Sequence, residues 1–177
     1  LQDEWDPNPN WGSYVGVRTE SIETKSQLPG NPVKNVSRVI NPLAHMVYRF
    51  DSPRKDQIRA SLTQSYRAPS TQQLVARPSL NTLYPVPGPN TSVSPDRAGN
   101  ATLKPEVANG IDVAYEIFLQ AGGVVSINFF ERRIKDLIRN VTALESVSWA
   151  SAPRFVSRPQ NLGRAKTRGA EFDAKFQ

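Results

Sequence analysis

Gln57-Ile-Arg-Ala-Ser-Leu-Thr-Gln-Ser-Tyr-Arg67 reads at period two: Ile58, Ala60, Leu62 and Tyr66 fall on one face, and Arg59, Ser61, Thr63, Ser65 and Arg67 on the other. Gly110 to Leu119 repeats the pattern, with Ile111, Val113, Tyr115, Ile117 and Leu119 opposite Asp112, Ala114 and Glu116. A long Pro/Asn/Ser-rich excursion, residues 68–109, lies between these two segments. Their far sides carry only short turns, at 52–55 and 120–123.

The same alternation extends outward. Trp11 to Ile22, Leu43 to Asp51, Val124 to Arg139 and Gly163 to Phe176 read as further strands, separated by long excursions at 23–42 and 140–161. Phe130 interrupts the pattern and predicts a bulge or phase change. Two-faced strands with short turns at one end and long loops at the other are the signature of a transmembrane β-barrel. In lipid only a closed barrel pairs every backbone group of a sheet. The expected fold is therefore all-β: about six antiparallel strands of a larger barrel, with 23–42, 68–109 and 140–161 extracellular and the short turns periplasmic.

Composition agrees with this. An apolar fraction of 38% is low for a soluble globule, but a barrel with a wet interior needs no apolar core. No apolar run approaches the roughly 20 residues of a spanning helix, whereas a barrel strand spans in about 9–11. The 177 residues begin without an initiator Met or a signal peptide pattern and read as a piece of a longer protein. The net charge of +6 leans toward the C-terminal third. Without a compact Lys/Arg run it is read as solvated charge rather than a nucleic-acid surface, with anionic lipid head groups at the outer rim as a further reading.

Tyr66-Arg-Ala-Pro69 followed by Leu74, and Gly99-Asn-Ala-Thr-Leu-Lys-Pro-Glu106 leading into Gly110-Ile-Asp112, resemble the loop-opening and loop-closing stretches of TonB-dependent outer-membrane receptors. Ala101 stands where that family usually has proline. Phe129 to Ile138 and Asn161 to Glu171 resemble successive barrel strands of the same family. The resemblance, from about Trp11 to the end, implies that residues 1–177 are part of a barrel of about 22 strands around a plugged lumen. The plug and the TonB-contacting segment lie outside this sequence. It further implies bacterial outer-membrane location and TonB-energised uptake of a scarce nutrient such as a ferric siderophore. The expected partners are TonB, that nutrient, and outer-membrane lipid with lipopolysaccharide, and not nucleic acid.

Locally the motifs read as strand-to-loop punctuation, since Pro69 ends ladder pairing and Pro105 fixes φ before re-entry. No catalytic constellation stands out. His45 is the single histidine and reads as a lumenal polar residue, and with no cysteines a thiolate metal site is excluded. Catalytic residues, metal ligands and cofactors are accordingly expected to be none. Loop aromatics beside arginine, Tyr84, Trp149, Arg154 and Phe155, are the expected ligand contacts, since they suit sugars and anionic chelates alike. The competing reading is a soluble or surface β-sandwich that binds carbohydrate, in which the apolar faces would pack on a second sheet.

Overall fold

The computed structural model describes residues 2–28, 31–54, 56–75, 77–120 and 122–176. Its strands are β1 (Gln2–Asn8), β2 (Trp11–Leu28), β3 (Asn31–Arg49), β4 (Gln57–Arg67), β5 (Asp96–Arg97), β6 (Glu106–Phe118), β7 (Gly123–Lys135), β8 (Ile138–Glu145), β9 (Arg154–Asn161) and β10 (Arg164–Phe176), with a one-turn helix α1 (Thr71–Leu74). The order β1-β2-β3-β4-β6-β7-β10 makes a seven-stranded sheet, antiparallel at every pairing. The order β5-β9-β8 makes a second, three-stranded sheet.

Residues directly opposite in an antiparallel ladder share a face, so the register can be read as rungs across the sheet. One outer rung runs Trp11, Tyr48, Ile58, Tyr115, Ile127, Phe172. The next runs Ser13, Met46, Ala60, Val113, Phe129, Ala170. The inner rungs are mixed and more polar: Tyr14, His45, Ser61, Asp112, Phe130 and Gly169 on one, and Gly12, Val47, Arg59, Ala114, Asn128 and Glu171 on another. The unbroken outer apolar run ends at Ile40 on β3, Leu62 on β4, Phe129 on β7 and Ala170 on β10. At the short-turn end Trp11, Tyr48, Phe50 and Tyr115 form a chain of rings with centroids 4.8, 5.1 and 6.2 Å apart, the arrangement of an interfacial aromatic girdle.

The outer face carries no second sheet. Leu62 is 56%, Phe129 55% and Phe172 72% exposed, where the sandwich alternative would have buried them. No helix among the described residues is long and apolar enough to cross a membrane, which says nothing about crossing by strands.

Several expectations are corrected. Residues 23–42 are not a loop: β2 and β3 stay paired from Trp11↔Tyr48 to Leu28↔Asn31, whereas β4 leaves β3 at Leu43↔Thr63. The hairpin therefore runs on past the last β3–β4 pair by about 35–40 Å at ordinary strand rise. Pro32 and Pro42 are unsuited to a central strand, but both lie in a stretch where β3 has no β4 partner, a position where proline is tolerated. Residues 140–161 are likewise ordered, as most of β8 and β9. The strand expected over 124–139 ends at Lys135, where Asp136 takes a φ of 55° and turns the chain into the second sheet. The sheet has seven strands instead of six because β1, with Pro7 and five polar positions, lacks an apolar face.

The bulge expected at Phe130 is absent, and pairing is continuous on both sides of β7. Phe130 lies opposite Gly169, and a Cβ there would sit 2.7 Å from its ring, so the missing side chain makes the room. Of the residues in the expected turns and loops, Pro29, Gly30, Lys55, Ala76 and Ala121 lie outside the described ones.

The two faces are expected to respond differently to charge. Leu62→Arg should destabilise the intact barrel in bilayers by about 2–4 kcal/mol, measured by denaturant titration. Ser61→Thr should change it by less than about 0.5 kcal/mol.

Candidate functional site: the loop cap and inner wall

Beyond the long-connection end of the sheet the chain builds an ordered cap. Ser70 starts α1 with a reciprocal capping box: its Oγ accepts from Gln73 N at 3.3 Å, and its own N donates to Gln73 Oε1 at 2.9 Å. Leu74 from α1, Leu103 before β6 and Ile138 at the start of β8 form a small buried core. Gly99 has to be glycine, because a Cβ there would sit 2.1 Å from the Val75 carbonyl oxygen. Asn100 donates from its backbone to Gln73 O (2.7 Å) and from its side chain to Pro159 O (3.0 Å).

Asn161 accepts from Lys104 N and donates to Lys104 O, both at 2.9 Å, and also donates to Asp136 O at 2.8 Å. Glu106 accepts from Ile138 N at 2.7 Å and faces Arg67 across the first β4–β6 rung. The projecting hairpin joins the cap through Asn35, which donates to Ala101 O (2.8 Å) and Leu103 O (3.0 Å). The loop-opening and loop-closing stretches are thus a mutual fastening.

Asp96 and Arg154 are the cap's deepest feature, both 0% exposed. Arg154 donates from Nε to Asp96 Oδ2 at 2.6 Å and from Nη2 to Oδ1 at 2.9 Å, while its Nη1 donates to Gly88 O at 2.6 Å. Asp96 also accepts from Asn81 N (2.9 Å) and Trp149 Nε1 (3.1 Å). The hydrogen bonds from Arg154 first, then those from Asn81 and Trp149, outweigh burial and hold its pKa down from 3.8 to about 2.

Of the four residues singled out in the sequence, Arg154 therefore spends its guanidinium inside the cap, and Trp149 is half-buried with its ring N–H on the same carboxylate. Phe155 is half-buried and clamped by Asn90, which accepts from its N (2.6 Å) and donates to its O (2.9 Å). Tyr84 is half-buried, and its hydroxyl accepts from Thr91 at 3.3 Å. Asp96 escaped the sequence reading, since nothing in Ser94-Pro-Asp-Arg97 points to a partner 58 residues away.

Two hollows adjoin this frame. In the cap, a cavity of about 860 Å³ is lined by polar and basic side chains including Gln73, Arg77, Asn81, Arg97 and Asn140. Along the inner wall, a concavity of about 540 Å³ is lined by Glu4, Tyr14, His45, Arg59, Asp112 and Glu116 among others. His45 Nδ1 lies 2.8 Å from Ser61 Oγ, Arg59 pairs with Glu116, and Arg132 pairs with Asp112 at 2.8 Å. No group of metal-binding side chains occurs among the described residues.

A family model described as TonB-dependent receptor-like β-barrel matches residues 1–177. The chain belongs to the TonB-dependent receptor family, within its β-barrel. No curated protein matches it by sequence. Solved structures of receptors superpose on it. The ferric enterobactin receptor PfeA of Pseudomonas aeruginosa, a mutant in complex with enterobactin, aligns at a TM-score of 0.65 and 17% identity, over 97% of this chain and 23% of that one. The siderophore receptor PirA of the same organism aligns at 0.56 and 15%, over 92% and 34%. A double mutant of the hemophore receptor HasR of Serratia marcescens, in complex with the hemophore HasA and heme, aligns at 0.57 and 15%, over 93% and 28%. At such identities the likeness establishes the fold, and the chain spans about a quarter to a third of those receptors.

The buried pair makes the cap sensitive to single changes and to acid. Arg154→Met strands a buried carboxylate and should destabilise the cap by about 3–5 kcal/mol, whereas Arg154→Met together with Asp96→Leu should be far milder. Hydrogen exchange in β5 and β9 reads the difference. Because the folded Asp96 pKa lies below its ordinary value, its contribution is complete above about pH 4 and is lost as pH falls toward about 2. Pepsin cleavage of 77–97, normalised to an unfolded control, should rise across that window.

Proposed function

We propose that this chain is part of the barrel wall of an outer-membrane receptor that imports a scarce nutrient, a ferric siderophore in the first instance. Energy would arrive through TonB at a plug outside residues 1–177. The observation that carries this reading is the continuity of one polar surface. The inner face of the seven-stranded sheet leads at its long-connection end to an ordered cap, whose cavity presents Arg77 and Arg97 beside Asn81 and Asn140. Two guanidiniums with amide donors suit an anionic chelate. PirA, named a siderophore receptor, and PfeA, named a ferric enterobactin receptor, are similar in fold and support the same choice of ligand.

In this proposal Arg77 and Arg97 contact the ligand, and Tyr84, Trp149 and Phe155 offer the exposed parts of their rings. Arg154 acts from behind by fixing Asp96 and with it the segment that carries Arg97. The inner-wall ion pairs are structural and need no bond-making role, so the activity proposed is transport without catalysis.

Two outcomes are expected. In cells lacking their own receptor, the intact protein should restore growth on a ferric siderophore in iron-poor medium. Arg77→Gln and Arg97→Gln should each weaken siderophore binding roughly tenfold or more, at about 1.5–3 kcal/mol for a charge-assisted bond. Uptake of an oligosaccharide or cobalamin, with siderophore binding unchanged in both variants, would redirect the assignment. Orientation is tested by thiol labelling of whole cells: Val93→Cys, at a position 88% exposed in the cap, should react with an impermeant reagent, and Gln120→Cys, in a short turn, should not.

A further inference from the structure

Two guanidiniums border the cap cavity with their charge unanswered. Arg77 and Arg97 are both exposed, and neither has an ion-pair partner among the described residues. The residues lining the cavity include no carboxylate and no aromatic ring. Ser79 N donates to Arg97 O at 2.7 Å and Arg97 N to Ser79 O at 2.9 Å, while Asn81 N donates to Asp96 Oδ1 at 2.9 Å. Leu80 lies between these two anchors, so it is fixed on the same frame as Arg97.

The remaining border is more aliphatic than anion recognition requires. Val75, Leu80, Val93 and Pro95 line the cavity beside the arginines. Leu80 is 39% and Val93 88% exposed, and Leu83, on the same segment as Leu80, is 75% exposed. Thr91 Oγ1 donates to the Tyr84 hydroxyl at 3.3 Å, which ties together the two limbs that carry Leu83 and Val93. A single exposed apolar side chain is ordinary, but several on joined limbs at the edge of a cavity mark a surface that a ligand covers. A short dicarboxylate would answer the arginines and leave this surface wet. A bare hydrocarbon would do the opposite, and a catecholate would find no ring in the lining to stack on.

We propose that the cap cavity takes an acylated ferric chelate, with its free carboxylates on Arg77 and Arg97 and its aliphatic chain along Leu80, Leu83 and Val93. The proposal rests on the siderophore reading and narrows it to an amphiphilic, carboxylate-bearing member of that class. Arginine grips a carboxylate through two parallel N–H···O bonds, which orients the head. The chain then discriminates by length, since each methylene taken fully out of water strengthens binding roughly fourfold.

The test uses the intact receptor in lipid nanodiscs, with tryptophan fluorescence quenching as the readout and empty nanodiscs subtracted. The probes are iron(III) trishydroxamates with two free carboxylates and either an N-acetyl or an N-octanoyl chain, the octanoyl compound with both carboxylates amidated, and an iron(III) tris-catecholate. The octanoyl compound should bind roughly 30-fold more tightly than the acetyl one, equivalent to two or three fully buried methylenes. Amidation should weaken it roughly 100-fold, about tenfold for each charge-assisted bond lost. In a variant carrying Leu80→Ser and Val93→Ser the octanoyl-to-acetyl ratio should fall to within about threefold. Val36→Ser, on the outer face of the β2–β3 hairpin, should keep the full ratio. Equal affinity for the acetyl and octanoyl compounds, an undiminished ratio in the double variant, or tighter binding of the tris-catecholate would each overturn the proposal while leaving siderophore uptake standing. Binding of none of the iron(III) compounds would overturn the siderophore reading as well. The chain-length comparison needs only the wild-type protein, so a variant that fails to fold leaves a decisive arm.

Discussion

Backbone pairing is the constraint from which the rest of this structure follows. A strand in hydrocarbon has to place every N–H and C=O in a ladder, because no water is there to accept or donate. Five of the seven sheet strands have neighbours on both sides, while β1 and β10 each keep an open edge. Those edges are stable in lipid only when further strands meet them, which is why a wall of this kind belongs to a larger closed sheet. Once pairing is fixed, the side chains are free to differ by face. That freedom permits an apolar exterior, with Leu62, Ile111 and Phe172 open to the surroundings, and an interior of ion pairs.

The cap obeys a different economy. Its three-stranded sheet is small and its apolar core is three residues, too little to order so long a set of connections by burial alone. Side-chain-to-backbone bonds take over, with Asn35, Asn90, Asn100 and Asn161 each spanning two segments. Asn presents both donors and an acceptor on one short, stiff stem, so it can satisfy an extended backbone on its donor and acceptor sides together. The buried Asp96–Arg154 pair gives this network a unique closed form, since either charge alone in that place would be untenable.

The legible part of the chain was the part governed by period two. Ile58 to Tyr66 and Ile111 to Leu119 gave up their strands, faces and relative order because one face is apolar and the other polar. The long β2–β3 extension escaped because its buried face, Val33, Asn35, Ser37, Val39 and Asn41, is a mixture of polar and apolar residues, so hydrophobicity does not alternate there even though burial does. The second sheet escaped for the same reason: β8 and β9 cover loops rather than a core. Trp149 and Arg154 were noticed by residue type, but their shared partner Asp96 was not, since its role is set by chain segments meeting in space.

The outer apolar residues also record an angle. On β3 they reach Ile40, two same-face rungs beyond the one holding Ala44 and Leu62, whereas on β7 they stop at Phe129, one rung short of it. Those three rungs amount to about 20 Å along the strands, gained across three strand spacings of about 14 Å in all. If the edge of the apolar run marks a flat membrane surface, the strands lean from its normal by roughly 55°, somewhat beyond the about 45° of spanning β-strands. Lean and strand number together set a barrel's circumference. The boundary between greasy and wet side chains therefore carries a measure of how wide a ring this wall was shaped to join.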